Sequence, residues 1–494
     1  MNVLFVIPHD KELHSIPYFG NNGVLSIASY IKSLGHNVKI EDRTLKFSNF
    51  KKLLKSFKPN IVGISFISCC VMDDAIKISK LVHKKNIPIV WGGYGPIAFP
   101  EIILKEDFVD FVSIGEGEYT WRDLLNAMSK KQTASDISGL AYKNNRGEIV
   151  VNPMAPLIDL RDLPVLDYSL IKPSNYSFPF YNSKSMIYMF DGKGCPYQCM
   201  FCANKFYNKC KLRSRNMDDV ISEVHSLSFK YGFDGFFFMK ELFAVNKKEL
   251  YQKCDSLSKL GEDIKWGCML RITMYSSEDY DYMYKCGCRW IFFGVESASA
   301  EVIKNMKKNT DISNAEVCIV DCHKAGIMPY ASFIFGFQDE TEDNIKETIS
   351  LIKNIFPIAK IGYNFFSPVF CSQSYNDLVN LGRIKEPESL KEISISMCTK
   401  LSDNYSLIKT IDLKVIYYYF MFISLISKKN YPKKYSGGMF AEIANIFKKC
   451  LFKFGLKHCV KMVYFLSFLG TKILWYTFMF PGIRKKYDLP LKFD

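Results

Sequence analysis

The sequence predicts an α/β protein with two parallel β-sheets in succession, followed by a helical carboxyl-terminal region. Three observations support this fold class. Short apolar runs alternate with helical patterns over residues 1–135, the same alternation begins again near residue 183, and it ends after about residue 370. Strands rich in Val, Ile and Phe that alternate with helices of ten or more residues are typical of parallel sheets covered by helices.

The first region contains five predicted strands with helices between them. The strands read VLFVIP, NVKIED, IVGISF, IPIVWGG and FVDFVSIG. The helices read GVLSIASYIKSLG, FKKLLKSF, DDAIKISKLVHKK and a segment that starts near Glu118. We therefore predict a Rossmann-like domain over residues 1–135, whose ligand would lie beyond the carboxyl ends of the strands. The glycine-rich segments WGGYGP and IGEGE occupy two of those ends.

A hairpin and linker are predicted over residues 136–182, and a second sheet follows. ISGLAYKNNRGEIVVN reads as a β-hairpin that turns at NNRG, and four prolines lie between residues 153 and 173. The next strands read SMIYMFD, FDGFFFM, DIKWGCML, CRWIFFGVE, IMPYASFIFG and KIGYNFF. Six strands with helical patterns between them predict a partial (β/α)6 barrel over residues 183–370, with its active site at the carboxyl ends of the strands.

Residues 371–494 form the predicted helical region, and its end is basic. The chain has a formal net charge of +15, and residues 428–494 carry fourteen Lys or Arg against three acids. Such a segment, interleaved with aromatic residues, suits a membrane surface, a nucleic acid or an acidic partner, or is an amphipathic helical cap. Residues 462–483 are nearly long enough to span a bilayer, but Lys472 near their centre favours a buried or interfacial helix.

The cysteine content predicts a reducing compartment. The chain has 16 cysteines, and its first residues read as a strand without a recognisable secretory signal. We therefore expect a cytoplasmic protein, with peripheral membrane contact through the basic tail as an open option.

The segment DGKGCPYQCMFCAN directly follows the first predicted barrel strand and contains Cys195, Cys199 and Cys202. A structural zinc site normally takes four ligands, often as two CxxC pairs, and no partner pair follows at that spacing. A cubane [4Fe–4S] cluster is held by thiolates at its iron corners. Three thiolates leave one iron open to bind another molecule, so we favour a cluster over a zinc loop or three buried thiols.

With these cysteines the chain resembles the radical SAM superfamily, whose hallmark is CxxxCxΦC with an aromatic residue, here Phe201, before the third cysteine. The resemblance covers about residues 185–370. It implies that the open iron chelates the amino and carboxylate groups of S-adenosylmethionine (SAM). An electron from the reduced cluster would then cleave the sulfonium to give a 5′-deoxyadenosyl radical. It also implies an external electron donor of the flavodoxin or ferredoxin type.

The same resemblance implies further site residues in the barrel. Glu241, in FFFMKELF, would bind the SAM amino group, with helix capping as the alternative. Arg271, at the end of the third strand, would pair with the SAM carboxylate or belong to a structural ion pair. Glu296, in GVES, would bind the ribose hydroxyls. Cys371, near the expected barrel mouth, is a further candidate for a catalytic proton or thiol role.

The first region resembles the B12-binding (cobalamin-binding) domains of one branch of this superfamily. Those domains carry the motif DxHxxG, then SxL, then GG. Ser65 matches the second element, and Gly92 and Gly93 match the third. The resemblance implies that Ser65 hydrogen-bonds the nucleotide tail of cobalamin and that the glycines let the tail pass close to the backbone. Gly115, in IGEGE, is a further candidate for the same site.

The first element of the cobalamin motif is only partly present. Gly23 matches the motif glycine, whereas Tyr18 stands at the aspartate position and Gly20 at the histidine position. The resemblance therefore implies a cobalt without the usual imidazole ligand on its lower face, which Tyr18 would cover. The alternative is a degenerate domain that has lost the cofactor.

These features predict a radical SAM enzyme that transfers a methyl group from methylcobalamin to an unactivated carbon. The alternative is a cyclase, oxidoreductase or rearrangement enzyme of the same architecture, with or without cobalamin. A tRNA methylthiotransferase is disfavoured, because only Cys69 and Cys70 lie in the first domain and that family carries three further cluster cysteines there. A non-catalytic role with a structural cluster is also disfavoured. We expect a small-molecule, lipid or natural-product substrate and not a nucleic acid.

Overall fold

The computed structural model describes residues 1–9, 22–45, 49–66 and 71–397. Outside residues 338–346, the described residues belong to one compact unit. The candidate Tyr18, the adjacent Cys69 and Cys70 and the predicted basic tail lie outside the described residues.

The first sheet has seven strands in the order β2-β1-β3-β4-β5-β6-β7. They are β1 (Asn2–Ile7), β2 (Asn37–Asp42), β3 (Ile61–Ser65), β4 (Ile89–Gly92), β5 (Phe111–Ser113), β6 (Leu140–Lys143) and β7 (Ile149–Val151). The first five pair in parallel, which confirms the Rossmann-like prediction. The predicted hairpin forms β6 and β7, and it joins the edge of this sheet antiparallel to β5. The sheet therefore extends past residue 135.

Strand β1 pairs with β2 on one side and with β3 on the other. The strand order therefore reverses at β1 and opens a crevice beyond the carboxyl ends of β1 and β3. Helices cover both faces of the sheet or follow its strands: α1 (Asn22–Ser33), α2 (Phe50–Phe57), α3 (Met72–His83), α4 (Tyr94–Ala98), α5 (Pro100–Leu104) and α6 (Gly117–Lys130). Helix α2 begins where the Asn49 side chain accepts a hydrogen bond from the Lys52 N–H and ends at Lys58 in the left-handed region.

The second sheet is a curled partial barrel in the order β16-β15-β14-β13-β12-β9-β8. Its strands are β8 (Phe178–Phe180), β9 (Ser183–Met189), β12 (Gly235–Phe238), β13 (Lys265–Arg271), β14 (Cys288–Glu296), β15 (Met328–Phe335) and β16 (Lys360–Phe365). The last six pair in parallel, as the sequence predicts, and β8 is an antiparallel edge strand. A separate two-stranded ladder is formed by β10 (Gly192–Lys193) and β11 (Arg213–Ser214).

Nine more helices lie between residues 204 and 397 within the described ranges. They are α7 (Asn204–Asn208), α8 (Met217–Tyr231), α9 (Lys247–Ser258), α10 (Ser277–Lys285), α11 (Ala300–Asn305), α12 (Ala315–Lys324), α13 (Glu342–Ile355), α14 (Gln373–Asn380) and α15 (Leu390–Met397). Helix α10 begins with a capping box between Ser276 and Asp279. In the part of the chain that the structure describes, no helix is long and apolar enough to cross a membrane.

The proline-rich linker is ordered and packs against α8. The Leu166 N–H donates a 2.7 Å hydrogen bond to Glu223 Oε1. Glu223 also forms an ion pair with Arg215, and both side chains are almost fully buried. A buried carboxylate needs such a cation. The hydrogen bond from Leu166 to the paired Glu223 then attaches the linker to the helical layer of the second sheet.

A close contact in the first sheet explains one glycine of β3. A Cβ atom on Gly63 would lie 2.7 Å from Phe5 Cδ1 and 2.7 Å from Trp121 Cζ2. The rings of Phe5 and Trp121 also pack edge to face, with centroids 4.7 Å apart. These three residues line the crevice described below, so their packing shapes the site.

We expect Gly63→Ala to lower the free energy of unfolding by about 1–3 kcal/mol, because the added methyl group overpacks a rigid aromatic contact. Urea unfolding followed by circular dichroism measures this. Gly23→Ala is the control, since a Cβ at Gly23 has no atom within 4 Å and alanine is preferred to glycine in helices. Equal unfolding midpoints for the two variants would contradict the packing argument.

Candidate active site

A cavity of about 580 Å³ lies between the carboxyl ends of the two sheets. Parallel strands all end on one edge, so both sheets direct their loops into the same space. The first domain contributes small residues at its strand ends together with larger side chains such as Phe5 and Trp121, and the second sheet contributes residues at the carboxyl ends of β9, β12 and β13. The first group includes Ser65, Gly92, Gly93, Ser113 and Gly115, and the second includes Phe190, Gly192, Lys193, Met239, Lys240, Glu241 and Met269.

The loop that carries the three cysteines begins directly after β9 and the buried Asp191. Strand β10 pairs with β11 and closes the loop on itself. Gly194, the next residue, has φ +90°, and a Cβ there would lie 2.0 Å from the Lys211 carbonyl oxygen. Only glycine fits this position, so the tight turn fixes where Cys195 leaves the ladder.

The three cysteines are free thiols and half-buried. The Asn204 N–H lies 3.4 Å from Cys202 Sγ, and Arg271 Nη1 lies 3.8 Å from Cys199 Sγ. Burial raises the pKa of Cys195, and it raises the pKa of Cys202 to about 11. Hydrogen bonds and positive charge directed at sulfur are typical of iron–sulfur sites, where iron keeps the thiolates deprotonated.

Cys195, Cys199 and Cys202 lie in one loop after β9. Among the described residues, no three His, Cys, Asp or Glu side chains form a group that could hold a single metal ion. A cubane binds each thiolate to a different iron. The role of the three cysteines as ligands of the [4Fe–4S] cluster stays a prediction.

Glu241 braces the cysteine loop. Its Oε2 accepts a 2.7 Å hydrogen bond from the Gly194 N–H, and its Oε1 accepts one of 3.0 Å from Asn208 Nδ2. Asn208 also donates to Asn204 Oδ1, and Asn204 Nδ2 donates to the Cys195 carbonyl at 2.6 Å. The carboxylate faces the cavity from this network, and it does not cap a helix. Its contact with the SAM amino group stays a prediction.

Arg271 is buried and holds the loop that contains Lys308 and Thr310. Its Nη2 donates to the Lys308 carbonyl and to Thr310 Oγ1. Its guanidinium carbon lies 3.7 Å from the centroid of the Tyr197 ring. These contacts leave Nη1 beside Cys199, so Arg271 places positive charge at the cysteine loop. Pairing with the SAM carboxylate stays a prediction.

Glu296 ends β14 in a left-handed conformation, with φ +72°. Its Oε1 accepts a 2.7 Å hydrogen bond from Lys308 Nζ, and both side chains are largely buried. A Cβ at Gly294 would lie 2.5 Å from the same carboxylate oxygen. The structure therefore gives Glu296 an ion-pair partner, and its predicted contact with the SAM ribose is untested.

The described cobalamin candidates share one surface. Gly23, Ser65, Gly92, Gly93 and Gly115 all line the cavity. Gly93 has φ +111°, and a Cβ there would lie 2.3 Å from the Phe66 carbonyl oxygen. Asn22 also lines this surface, and its buried Oδ1 has no hydrogen-bond partner among the described residues. A backbone-lined crevice with an unsatisfied acceptor fits a large polar cofactor, as the cobalamin prediction requires.

Cys371 and Phe201 are not among the residues that line this cavity, and neither are Arg271, Glu296 or the three cysteines. Cys371 has φ +64° and packs against the core of the first sheet beside Tyr207, outside the cavity lining. Burial raises its pKa to about 11. Phe201 is half-buried within the cysteine loop, whose neighbouring Met200 bonds through its backbone to Met306 and Ser374. The structure does not bring Cys371 to the cluster thiols, and no contact assigns Phe201 to SAM.

Sequence reasoning missed several residues at the site. Ser113 follows the same rule as Ser65 and Gly92, because it ends a parallel strand, and that rule alone suffices to find it. Lys240 gives no such signal: it is fully buried, donates a 3.0 Å hydrogen bond to Ser214 Oγ and lines the cavity. Burial and the nearby positive charge of Lys253 lower the pKa of Lys240 to about 8.

Comparison with known families identifies the class of protein. Residues 189–352 match the radical SAM superfamily, and residues 17–125 match the B12 binding domain. An uncharacterized methyltransferase of Pyrococcus horikoshii is 30% identical over 340 residues, which cover 67% of this chain and 73% of that protein. The chain belongs to the radical SAM superfamily, in the branch with an amino-terminal B12-binding domain. It is therefore a radical SAM enzyme, and its cofactors are a [4Fe–4S] cluster, SAM and cobalamin.

More distant relatives share parts of the chain. An anaerobic magnesium-protoporphyrin IX monomethyl ester cyclase of Rubrivivax gelatinosus is 24% identical over 371 residues, which cover 72% of this chain and 66% of that protein. The radical SAM methyltransferase TsrM from Kitasatospora setae, solved with cobalamin and a [4Fe–4S] cluster, has a TM-score of 0.64 at 16% identity, covering 77% of this chain and 75% of its own. At that identity the structural likeness establishes the fold alone.

We expect that replacing Cys195, Cys199 or Cys202 by alanine will abolish cluster assembly, because each thiolate binds one iron corner. Anaerobic reconstitution followed by iron and sulfide analysis measures this, against about four irons per chain for the unmodified protein. Cys210→Ala is the matched control: that thiol lies close by and donates to the Tyr197 carbonyl at 3.8 Å. Full iron content in a variant of the three cysteines would refute the assignment.

Proposed function

We propose that this enzyme transfers a methyl group to an unactivated carbon of a small-molecule substrate in a reaction that depends on cobalamin and SAM. One observation carries the proposal: segments that flank the cysteine loop, including Gly192, Lys193 and Asn208, line the same cavity as the glycine-rich edge of the first sheet. Two cofactors bound at these places would meet one substrate. Residues 1–135 would form the cobalamin domain, 136–182 the link, 183–370 the SAM barrel and 371–494 an additional helical region.

The chain's own residues position and shield the reactants. When bound, the reduced cluster would supply the electron that cleaves SAM to a radical, and cobalamin would carry the transferable methyl group. Glu241 and Asn208 hold the cysteine loop, and Arg271 balances the negative charge of the thiolates. Phe190, Met239 and Met269 supply apolar walls that would separate reactive intermediates from solvent.

A second candidate is a radical cyclisation, oxidation or rearrangement on the same architecture. The relatedness to the protoporphyrin ester cyclase favours it, since that protein covers 72% of this chain. The two reactions differ in product mass, because methylation adds one CH2 and the alternatives do not. An external donor of the flavodoxin or ferredoxin type would reduce the cluster in either case. The predicted membrane contact of the basic tail lies outside the described residues and remains part of the proposal.

The test is anaerobic reconstitution with iron, sulfide and hydroxocobalamin, followed by desalting and an absorption spectrum. We expect retention of about one equivalent of cobalamin in a base-off form, because the domain would hold the nucleotide tail away from cobalt. Cobalt would then have no protein imidazole ligand, because the motif lacks its histidine. A protein that keeps its iron–sulfur absorption but releases all cobalamin would overturn the methyl-transfer proposal and favour the second candidate.

We expect Gly92→Val to lower the affinity for hydroxocobalamin at least about tenfold, the effect of roughly 1.4 kcal/mol. A Cβ at Gly92 meets Ser113 Cβ at 3.6 Å, an ordinary contact, so the fold accommodates the change while the side chain enters the cavity. Equilibrium titration followed by absorbance measures the affinity. Ile89→Val, in the same strand but outside the cavity lining, is the control. Unchanged affinity in Gly92→Val would place cobalamin elsewhere.

A further inference from the structure

Four charged side chains join the two sheets beside the cavity. Glu116 and Glu118 lie at the start of α6, Lys193 lies in β10 and Arg213 in β11. Arg213 donates from Nη1 to Glu116 Oε2 at 2.8 Å and from Nη2 to Glu116 Oε1 at 2.7 Å. Lys193 Nζ lies 2.9 Å from Glu118 Oε1 and 3.4 Å from Glu116 Oε1. We call these four residues the inter-sheet clamp.

The inter-sheet clamp is charged and mostly shielded from solvent, with Glu118 buried and the other three side chains partly exposed. The Glu118 side chain is 1% exposed, and Ser26 Oγ donates to it at 2.6 Å. Burial acts to raise the pKa of Glu116, but Arg213 and Lys193 outweigh it and hold that pKa below its usual value. Buried ions that are mutually paired in this way resist separation, because each would otherwise lose its partner in a low-dielectric site.

On the side of the second sheet, the inter-sheet clamp is adjacent to the cysteine loop, because its residue Lys193 lies two residues before Cys195. Lys193 and Arg213 are paired across the β10–β11 ladder. Lys193 is followed by Gly194, whose conformation is fixed by its close approach to the Lys211 carbonyl, and then by Cys195. A displacement of the clamp would therefore move the cysteine loop as a unit.

On the first sheet, the inter-sheet clamp is continuous with the cobalamin surface. Glu116 lies between Gly115 and Gly117, which both line the cavity. A Cβ at Gly117 would lie 2.5 Å from Ile27 Cδ1 of α1, so α6 packs closely on α1 at this point. The linker joins the same contact, since the Ile158 N–H donates to Glu116 Oε2 at 2.9 Å and its carbonyl accepts from Arg213 at 2.8 Å.

We propose that the inter-sheet clamp sets the distance between the cluster and cobalamin, an inference that rests on the proposed function. Arg213 does not line the cavity and acts through Glu116, so it is a positioning residue. A bidentate guanidinium–carboxylate pair fixes orientation as well as distance, which a single lysine contact does not. Such precision matters, because a misplacement of about 1 Å between bound reactants costs roughly 10²-fold in rate.

The test uses Arg213→Met, which keeps an unbranched apolar stem and removes the charge and the hydrogen bonds of the guanidinium. Each protein is reconstituted with iron, sulfide and hydroxocobalamin and then reduced, so that both the cluster and cob(II)alamin are paramagnetic. The magnetic coupling between them, read from electron paramagnetic resonance spectra, depends steeply on their separation. Arg43→Met is the control, because Arg43 forms a bidentate pair with Asp74 within the first sheet's own layer, and that pair is at least as buried as the Arg213–Glu116 pair.

We expect Arg213→Met to keep its iron and cobalamin but to show a coupling shifted or broadened by a change of about 1 Å or more, with Arg43→Met unchanged. If Arg213→Met does not fold, the double variant Glu116→Gln/Arg213→Met, which removes both charges together, gives the same readout. If the unmodified protein retains no cobalamin after reconstitution, that result refutes the proposed function itself. Unchanged coupling in the Arg213 variants, or selective loss of cobalamin from them, would overturn the positioning role.

Discussion

A buried carboxylate must be paired with a cation. Here the carboxylate lies in α6 beside the first sheet, and the cation lies in the β10–β11 ladder next to the cysteine loop. Glu118 is almost completely buried at the carboxyl edge of the first sheet, and its partner Lys193 belongs to the loop of the second. The two edges are therefore held face to face. The cavity, the approach of the cysteine loop and the shared space for two cofactors all depend on this pairing.

The strands and the loops contribute different kinds of groups to the site. Strands β3, β4 and β5 end in small residues, which leave backbone exposed to the cavity and present a surface that a bulky cofactor can approach closely. The loops after β9 and β12 carry the reactive and charged groups. Glu241 connects these two loops through the Gly194 N–H, so the thiols are held by hydrogen bonds and not by packing alone. Sites built in this way combine a rigid frame with chemistry that varies between relatives.

Much of the architecture could be predicted from the sequence, for a physical reason. Strands buried on both faces read as continuous apolar runs, and the helices between them show a different period, so both parallel sheets were visible. The spacing of Cys195, Cys199 and Cys202 identified the cluster loop because the three thiols are local in sequence. The attachment of the hairpin β6–β7 to the first sheet was not predicted, because an edge pairing leaves no pattern in the strand itself.

The features of the site that the sequence does not predict depend on contacts between segments that are distant in the chain. Glu116 and Arg213 are 97 residues apart, and charged residues of either sign are frequent on any surface. Nothing local distinguishes a clamp residue from a solvated one until the topology is known. The positions of Arg271 and Glu241 at strand ends predict them as site residues, but their bonds to Lys308 and Gly194 depend on loops whose conformation the sequence does not encode in a short motif.

The backbone of Glu296 has a consequence for protein engineering. A residue other than glycine in the left-handed region costs about 1–2 kcal/mol, and Glu296 adopts that conformation at φ +72°. A stability design based on backbone preference would replace it with glycine at once. That replacement would relieve the strain and leave the buried ammonium of Lys308 without its carboxylate. Thermostabilised versions of this enzyme should therefore keep Glu296 fixed and seek their gains elsewhere.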